Sequence, residues 1–166
     1  MSLKPPIYQL PKMSDAEIDN VIQKNALCRI AYLSGDYPYI SPFQYAVVDG
    51  IIYFHFTDYG RKKAFLEQDS KVCVEIEDNA PDLAQYCFIS IRGHLSLVES
   101  HEERLKVLHA LVENAKTHFS PNFLAAHGFD NIDCWDAMVT QPSLKIIKLD
   151  RIVEKIGLKS PEANQK

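Results

Sequence analysis

The stretch YPYISPFQYAVVDGIIYFHFTDYGRKKAF, residues 37–65, decides the fold of this chain. Two runs rich in β-branched and aromatic residues flank Asp49-Gly50, a dipeptide typical of the two-residue turn that closes a β-hairpin. The sequence therefore predicts two antiparallel strands, over residues 37–48 and 51–56.

The segments on both sides of this hairpin supply the other predicted strands. Consecutive strands that are joined by short turns pair antiparallel, and six such strands with a few helices favour a closed barrel over a doubly wound sheet. Gly93 interrupts the longest strand, where it predicts a bulge or a barrel bend. The predicted strands cover residues 27–33, 37–48, 51–56, 72–77, 86–98 and 143–149, and residues 152–158 either extend the last one or turn away.

Three helices are predicted from their start signals and their apolar spacing. Ser14 with Glu17, and Ser100 with Glu103, are capping boxes, in which a hydroxyl caps the helix and a carboxylate follows three residues on. The inward residues are predicted to be Ile18, Val21 and Ile22 in the first helix, Ala64 and Phe65 in a short helix over residues 61–68, and Leu105, Leu108, Leu111, Val112 and Ala115 in the third, with a further short helix near Phe123 in the irregular residues 120–138.

The composition limits the chain to one domain without a membrane span. A length of 166 residues fits a single domain, expected over residues 1–158, with an extended arm at 1–12 and a disordered tail at 159–166. The formal net charge of −4 argues against nucleic acid as a partner. No apolar run approaches the ~20 residues that cross a bilayer, so we expect no membrane partner.

The cysteines and histidines show no metal-binding pattern. Cys28, Cys73, Cys87 and Cys134 form no Cys-x-x-Cys pair, and the histidines form no His-Glu-x-x-His set. Free thiols in apolar runs are typical of a protein in the reducing cytoplasm. We therefore expect buried free thiols, a cytoplasmic location and no metal held by the protein.

A candidate anion site lies between the end of the second hairpin strand and the start of the helix that follows it. Gly60 is followed by three cations, Arg61, Lys62 and Lys63. A helix start presents free backbone N–H groups and a positive partial charge, and added cations suit a phosphate there. The spacing is neither a Walker nor a Rossmann glycine motif. The alternative is a solvated helix start without a ligand.

A candidate site for a flat heterocycle lies on the first hairpin strand. Residues 37–45 are unusually aromatic and contain Pro38 and Pro42, which strands tolerate at edges and bulges. Strand backbone beside aromatic rings can supply hydrogen bonds to the edge of a heterocycle and apolar contact to its face. Ordinary barrel core is the alternative interpretation.

Together these segments resemble the pyridoxamine 5′-phosphate oxidase-related flavoproteins, most of all the branch that includes the nitroimidazole-resistance reductases. The resemblance covers roughly residues 14–118. It implies an α+β fold, a six-stranded antiparallel split β-barrel that binds FMN, and a homodimer with the cofactor in clefts between the subunits. The motifs that carry it are Pro38-Tyr39 before Ser41-Pro42, Asp49-Gly50, Tyr53-Phe54-His55, Gly60-Arg61-Lys62, Val72-Cys73-Val74-Glu75, and Tyr86 leading to Gly93.

The resemblance also implies which residues form the FMN site. Arg61 and Lys62 correspond to the basic pair that holds the FMN phosphate, in agreement with the anion site. His55 is the candidate catalytic residue, because an imidazole can donate a proton or a hydrogen bond at neutral pH, and a packed strand histidine is its alternative. The other implied cofactor contacts are Ser41, Pro42, Phe43 and Gln44 on one strand, Phe56 on the next, and Tyr86 at the start of the long strand.

The chain departs from the family pattern in two places. Members of this branch often have Arg and Ser after the tyrosine that corresponds to Tyr86, whereas this chain has Cys87 and Phe88. A cation and a hydroxyl are therefore missing from what the neighbouring subunit should contribute. The C-terminal motifs that bind substrate phosphate in true pyridoxamine phosphate oxidases are also missing, which disfavours vitamin B6 oxidation.

Three functions stay open from the sequence. The first is a flavin-dependent reductase or oxidase of a small organic molecule, with NADH or NADPH as the donor. The second is a non-catalytic flavin-binding protein. The third is a haem-binding or haem-degrading relative of the same barrel, which the Gly60-Arg61-Lys62 start argues against and the Cys87-Phe88 departure favours.

Overall fold

Six antiparallel strands close into a barrel in the computed structural model of the chain, which describes residues 9–33, 35–57, 60–120, 122–125, 137–140 and 144–161. The strands follow one another around the barrel in the order β1-β2-β3-β6-β5-β4. They are β1 (Leu27–Tyr32), β2 (Tyr39–Val48), β3 (Ile51–Thr57), β4 (Lys71–Asn79), β5 (Tyr86–Leu97) and β6 (Leu144–Lys159), and the helices are α1 (Asp15–Lys24), α2 (Arg61–Gln68), α3 (His101–His118), α4 (Asn122–Ala125) and α5 (Ala137–Thr140). The predicted fold class is confirmed.

The closing strand is longer than the sequence suggested. β6 is one continuous strand, so the second predicted segment extends the first instead of turning away. Lys159, which the sequence analysis assigned to the tail, ends this strand and donates its N–H to the Pro11 carbonyl at 3.0 Å. The Ser160 N–H donates to the Tyr86 carbonyl at 2.7 Å. The paired backbone therefore runs past the predicted domain boundary.

The core lies on both sides of the barrel wall. Strand side chains alternate between the two faces, so one set fills the barrel and the other packs beneath α3. The barrel core includes Ile30, Tyr45, Phe54, Val74, Ile76 and Ile89. The outer core joins Val107, Leu108, Leu111, Val112 and Ala115 of α3 to Ala46, Tyr53 and Ile146 of the strands.

A polar contact fixes the start of α3 against this outer core. Glu103 accepts a hydrogen bond from the Tyr53 hydroxyl at 2.9 Å and one from the Lys148 ammonium at 3.0 Å. Both contacts lower the pKa of the Glu103 carboxyl below its usual range. Because Tyr53 lies on β3 and Lys148 on β6, the first turn of α3 is held against two neighbouring strands.

Within the described parts of the chain, no helix is both long and apolar enough to cross a bilayer.

The predicted inward face is confirmed in α1, and in α3 it is confirmed except that Leu105 is half-buried and Val107 is buried instead. At Ser100 only half of the predicted capping box forms, because the Ser100 hydroxyl accepts from the Glu103 N–H while the Glu103 carboxylate contacts Tyr53 and Lys148. The capping box at Ser14 forms, and Ile18, Val21 and Ile22 of α1 are buried. Ala64 of α2 is exposed, so its predicted inward orientation is wrong, and Phe65 is half-buried with its ring 5.2 Å from that of Tyr39. The short helix touches the barrel only along one edge.

The three cysteines that the structure describes are free thiols, as predicted, but their burial differs. Cys28 is buried, whereas Cys73 and Cys87 are only half-buried, because they lie on the outer face or at the end of their strands. Burial raises the pKa of the Cys28 thiol. Cys134 lies outside the described residues.

The predicted irregularity at Gly93 is present in the ladder that pairs β5 with β6. The pairing register shifts between Arg92 and His94, which marks a bulge. A Cβ atom at Gly93 would lie 2.9 Å from the Asp150 carbonyl oxygen, a backbone atom that cannot move aside easily. The bulge therefore requires a residue without a side chain.

We predict that Gly93→Ala lowers the free energy of unfolding by about 1–3 kcal/mol, because the added methyl group overlaps the β6 backbone. Urea unfolding followed by circular dichroism measures the change. Gln68→Ala, at an exposed position at the end of α2, is the control and should shift stability by no more than about 0.5 kcal/mol. Equal stability of the two variants would contradict the steric role of Gly93.

Candidate functional site

The β2–β3 cleft is an open depression of about 360 Å³ at the ends of β2 and β3, beside α2 and α4. It contains most of the residues that the sequence analysis selected. Its lining consists of Leu27, Pro42, Phe43, Gln44, His55, Phe56, Thr57, Lys62 and Phe123.

Strand alternation gives the β2–β3 cleft an aromatic part and a polar part. Phe43 and Phe56 belong to the barrel core, and their rings stack with centroids 4.7 Å apart. Their neighbours Gln44 and His55 point to the other face of the wall, toward the outer core. Residues of both faces of the wall therefore line the cleft, and all four side chains are buried.

Gln44 is the polar residue most strongly fixed in the cleft wall. It is 3% exposed, and its Nε2 donates a hydrogen bond to the Leu111 carbonyl of α3 at 2.7 Å. Its Oε1 is buried and has no hydrogen-bond partner among the residues that the structure describes. A buried acceptor without a partner is costly, so this atom is suited to accept a hydrogen bond from a bound molecule.

His55 lies next to Gln44 in the same wall. It is 8% exposed and is paired with Ile146 in the ladder between β3 and β6. The register that pairs Tyr45 with Phe54 places His55 beside Gln44. The imidazole is therefore held by two flanking strands at the surface of the cleft.

Lys62 brings a positive charge over the aromatic part of the cleft. Its Nζ lies 4.4 Å from the centroid of the Phe43 ring, a cation–π contact. Burial lowers the pKa of the Lys62 ammonium below its ordinary value. The cleft thus offers a cation beside its aromatic rings.

The start of α2 differs from the starts of α1 and α3. Gly60 caps the helix with a φ of 91°, which only glycine adopts readily, and no side chain caps it. The first turn contains no acidic residue, whereas α1 and α3 each carry two. Lys63 is engaged with Glu67 at 3.7 Å. The backbone N–H groups at this helix start are not covered by a capping side chain.

Three of the predicted site residues do not line the β2–β3 cleft. Ser41 is buried opposite Ile30 in the β1–β2 ladder, and Arg61 is exposed beside Lys62. Tyr86 starts β5, which is three strands away from β2 in either direction around the barrel. It lines a separate groove of about 550 Å³ with Cys87, Lys24 and Lys159 among others.

The structure also adds three residues to the cleft that the sequence analysis missed. Thr57 shares a face of β3 with His55, a signal that the two-residue period could have provided. Leu27 pairs directly with Gln44, which follows only from the register of β1 and β2. Phe123 reaches the cleft from α4, and no local pattern indicates that contact. No cluster of three or more potential metal ligands occurs among the described residues.

A family model described as pyridoxamine 5′-phosphate oxidase matches residues 14–128, more than half of the chain. This range contains every residue of the β2–β3 cleft. No curated protein matches the chain by sequence.

Solved structures of the same fold come from several bacteria. An FAD-binding protein from Mesorhizobium loti superposes with a TM-score of 0.67 at 16% identity, over 93% of this chain and 100% of that one. An FAD and haem binding protein from Mycobacterium smegmatis gives 0.65 at 11% identity, over 92% and 74%. A proposed 5-nitroimidazole antibiotic resistance protein from Bacteroides thetaiotaomicron gives 0.61 at 16% identity, over 96% and 99%. At these identities the likeness establishes the fold.

Proposed function

We propose a flavin-binding function for this chain, which belongs to the pyridoxamine 5′-phosphate oxidase family. We propose further that the bound cofactor is FMN and that the protein is an oxidoreductase acting on a small organic molecule. The observation that carries the proposal is the composition of the β2–β3 cleft. Gln44 with its buried amide oxygen, the stacked rings of Phe43 and Phe56, and the half-buried Lys62 all line this cleft.

The residues of the cleft fit the chemistry of FMN. An isoalloxazine ring needs apolar contact on its face and hydrogen bonds at its edge. Phe43 and Phe56 supply the first, and the Gln44 Oε1 supplies an acceptor for the second. Lys62 and Arg61, at the uncapped start of α2, suit the phosphate group.

The proposed chemistry divides between the cofactor and the chain. Bound flavin supplies two-electron redox chemistry, with NADH or NADPH as the proposed hydride donor. The aromatic rings and Gln44 orient the bound ring, and the walls of β2 and β3 limit its contact with water. His55 is the proposed proton donor or hydrogen-bond donor to the molecule that is oxidised or reduced.

A homodimer would complete this site. Tyr86 lies on the opposite side of the barrel from β2, so it cannot reach the β2–β3 cleft of its own chain. In a dimer with the cleft at the subunit interface, Tyr86 would come from the second copy. The exposed aliphatic side chains of Ile152, Val153 and Ile156 on β6 support such an interface, because apolar strand surfaces of this kind are commonly covered.

We predict that the double variant Arg61→Ala, Lys62→Ala binds FMN about a hundredfold more weakly or worse, because it loses two charge-assisted contacts to the phosphate. Fluorescence titration of the purified protein with FMN measures the affinity. Lys63→Ala removes a cation from the same helix turn, one that pairs with Glu67, and should leave the affinity within about twofold.

The same titration tests the cofactor itself. Flavin absorption bands support the proposal, and a Soret band on addition of haem without flavin binding would favour the haem-binding alternative. A colourless protein after addition of FMN would refute the flavin proposal. An unchanged FMN affinity in the double variant would refute the phosphate site alone.

We predict that His55→Gln keeps its FMN affinity but slows turnover at least about tenfold, because glutamine retains hydrogen bonding but cannot transfer a proton. Anaerobic bleaching of the flavin by NADH or NADPH, followed by reoxidation with a quinone or a nitro compound, measures each half-reaction. Turnover by His55→Gln at the normal rate would contradict a catalytic role. Absence of bleaching in the unsubstituted protein with both donors would favour the non-catalytic alternative.

We predict that two weakly binding variants complement each other when their subunits are exchanged. In a dimer with composite sites, one chain with Arg61→Ala, Lys62→Ala and one with Tyr86→Ala form one intact site. Random exchange should restore FMN binding to about a quarter of all sites. Titration after joint unfolding and refolding measures the recovered fraction. No recovery, with both variants folded, would contradict a contribution of Tyr86 from the second copy.

A further inference from the structure

We propose that Phe123 of α4 selects the substrate that joins the cofactor in the β2–β3 cleft, and that this substrate is an uncharged aromatic molecule. The inference rests on the proposed function, because it names the class of molecule on which the proposed oxidoreductase would act.

The lining of the cleft comes from both faces of the β2–β3 wall. Phe43 and Phe56 belong to the barrel core, and the Lys62 ammonium lies over the Phe43 ring on that side. Phe123 packs instead against the outer core beneath α3. The cation and the α4 ring are therefore associated with opposite faces of the wall.

The accessible side chains on the outer-core side of the cleft are uncharged. Leu27 pairs directly with Gln44 and so shares its face of the wall, as does Pro42, two residues earlier on β2. Leu27 is 52% exposed and Pro42 is exposed, whereas Gln44 is buried. Thr57 and Phe123, which are half-buried, complete this part of the lining. A molecule that enters here meets three apolar side chains and one hydroxyl.

A second aromatic ring supports Phe123. The rings of Phe119 and Phe123 stack with centroids 4.6 Å apart and an interplanar angle of 24°. Phe119 follows α3 directly and also packs against the outer core. The Phe123 N–H donates to the Ser120 carbonyl at 3.0 Å, which holds the turn between the two rings. The ring that lines the cleft is therefore preorganised, which favours affinity for a ligand.

The chemistry of this surface favours one class of ligand. Aromatic rings in offset-stacked or edge-to-face contact gain stability beyond the area that they bury. A charged group that leaves water for an uncharged lining loses hydration and gains no paired charge. Lys62 is the single lysine, arginine, aspartate or glutamate among the described lining residues, and the proposed function assigns it to the cofactor phosphate. The outer-core side therefore favours an uncharged aromatic molecule over an anion.

The test compares two probes that differ by one charge, on the FMN-loaded protein. Naphthalenesulfonamide is neutral, and naphthalenesulfonate with the same ring position substituted is an anion of nearly the same size. The unsubstituted protein should bind the sulfonamide at least about tenfold more tightly, because the sulfonate finds no paired charge. Equilibrium dialysis without a nicotinamide donor measures both affinities, so the comparison does not depend on turnover.

Two variants assign the preference to Phe123. Phe123→Ala should bind the sulfonamide about three- to tenfold more weakly than the unsubstituted protein, because it loses the ring contact. Phe123→Lys should bind the sulfonate at least about tenfold more tightly than the unsubstituted protein, because it supplies a cation. Tyr37→Leu removes a ring that is 81% exposed and lies outside the cleft, and this control should bind both probes like the unsubstituted protein. Circular dichroism checks that each variant is folded.

A second readout is the kinetics with a neutral quinone as the acceptor. Phe123→Ala should raise KM for duroquinone about three- to tenfold and leave kcat within about twofold, because the ring contact binds the ground state and the transition state alike. A loss confined to kcat would overturn a role in substrate selection.

The outcomes separate this inference from the proposed function. Equal affinity of the unsubstituted protein for the two probes would overturn the inference while leaving the flavin function in place. Equal affinity of folded Phe123→Ala and the unsubstituted protein for the sulfonamide would do the same. Failure of FMN to bind, which is measured before either probe is added, would overturn the proposed function itself.

Discussion

From Phe43 onward the hairpin of β2 and β3 is largely buried on both of its faces, and the rest of the structure depends on this constraint. One face fills the barrel with Phe43, Phe54 and Phe56, and the other packs against α3. A strand pair of this kind cannot place a polar side chain at low cost on either side. Among the described residues of the hairpin, Ser41, Gln44 and His55 are nonetheless buried polar residues, and Gln44 and His55 lie together at the cleft.

The cost of burying Gln44 is only half offset within the chain. Its amide N–H reaches the Leu111 carbonyl, while its oxygen is left for a partner that the fold does not provide among its described residues. An apolar residue would fill the same position with less cost to folding. Positions where a sequence breaks the rules of core composition are commonly those that serve function, and this position agrees with the proposed flavin site.

The barrel topology separates residues that the family resemblance groups together. Gln44 and Tyr86 are both implied contacts of one cofactor, yet their strands β2 and β5 lie on opposite sides of the barrel. In the described structure the two residues line different depressions of the surface. The proposed composite site between two copies would reconcile this separation with the resemblance, and it would also cover exposed apolar side chains of β6.

The sequence by itself determined the hairpin, the strand count, the capped helices and most of the cleft residues. The hairpin, the strand count and the capped helices follow from local signals, because the Asp49-Gly50 turn, the two-residue alternation and the capping boxes each act within a few residues. Most of the cleft residues were instead implied by the resemblance to a known family. Only the tertiary structure decided that Ala64 is exposed, that β6 is continuous through Lys159, and that Phe123 joins the cleft. It also showed that Leu111 orients Gln44. Each of these depends on the packing of segments that are distant in sequence, and local patterns carry no information about which distant partner a side chain meets.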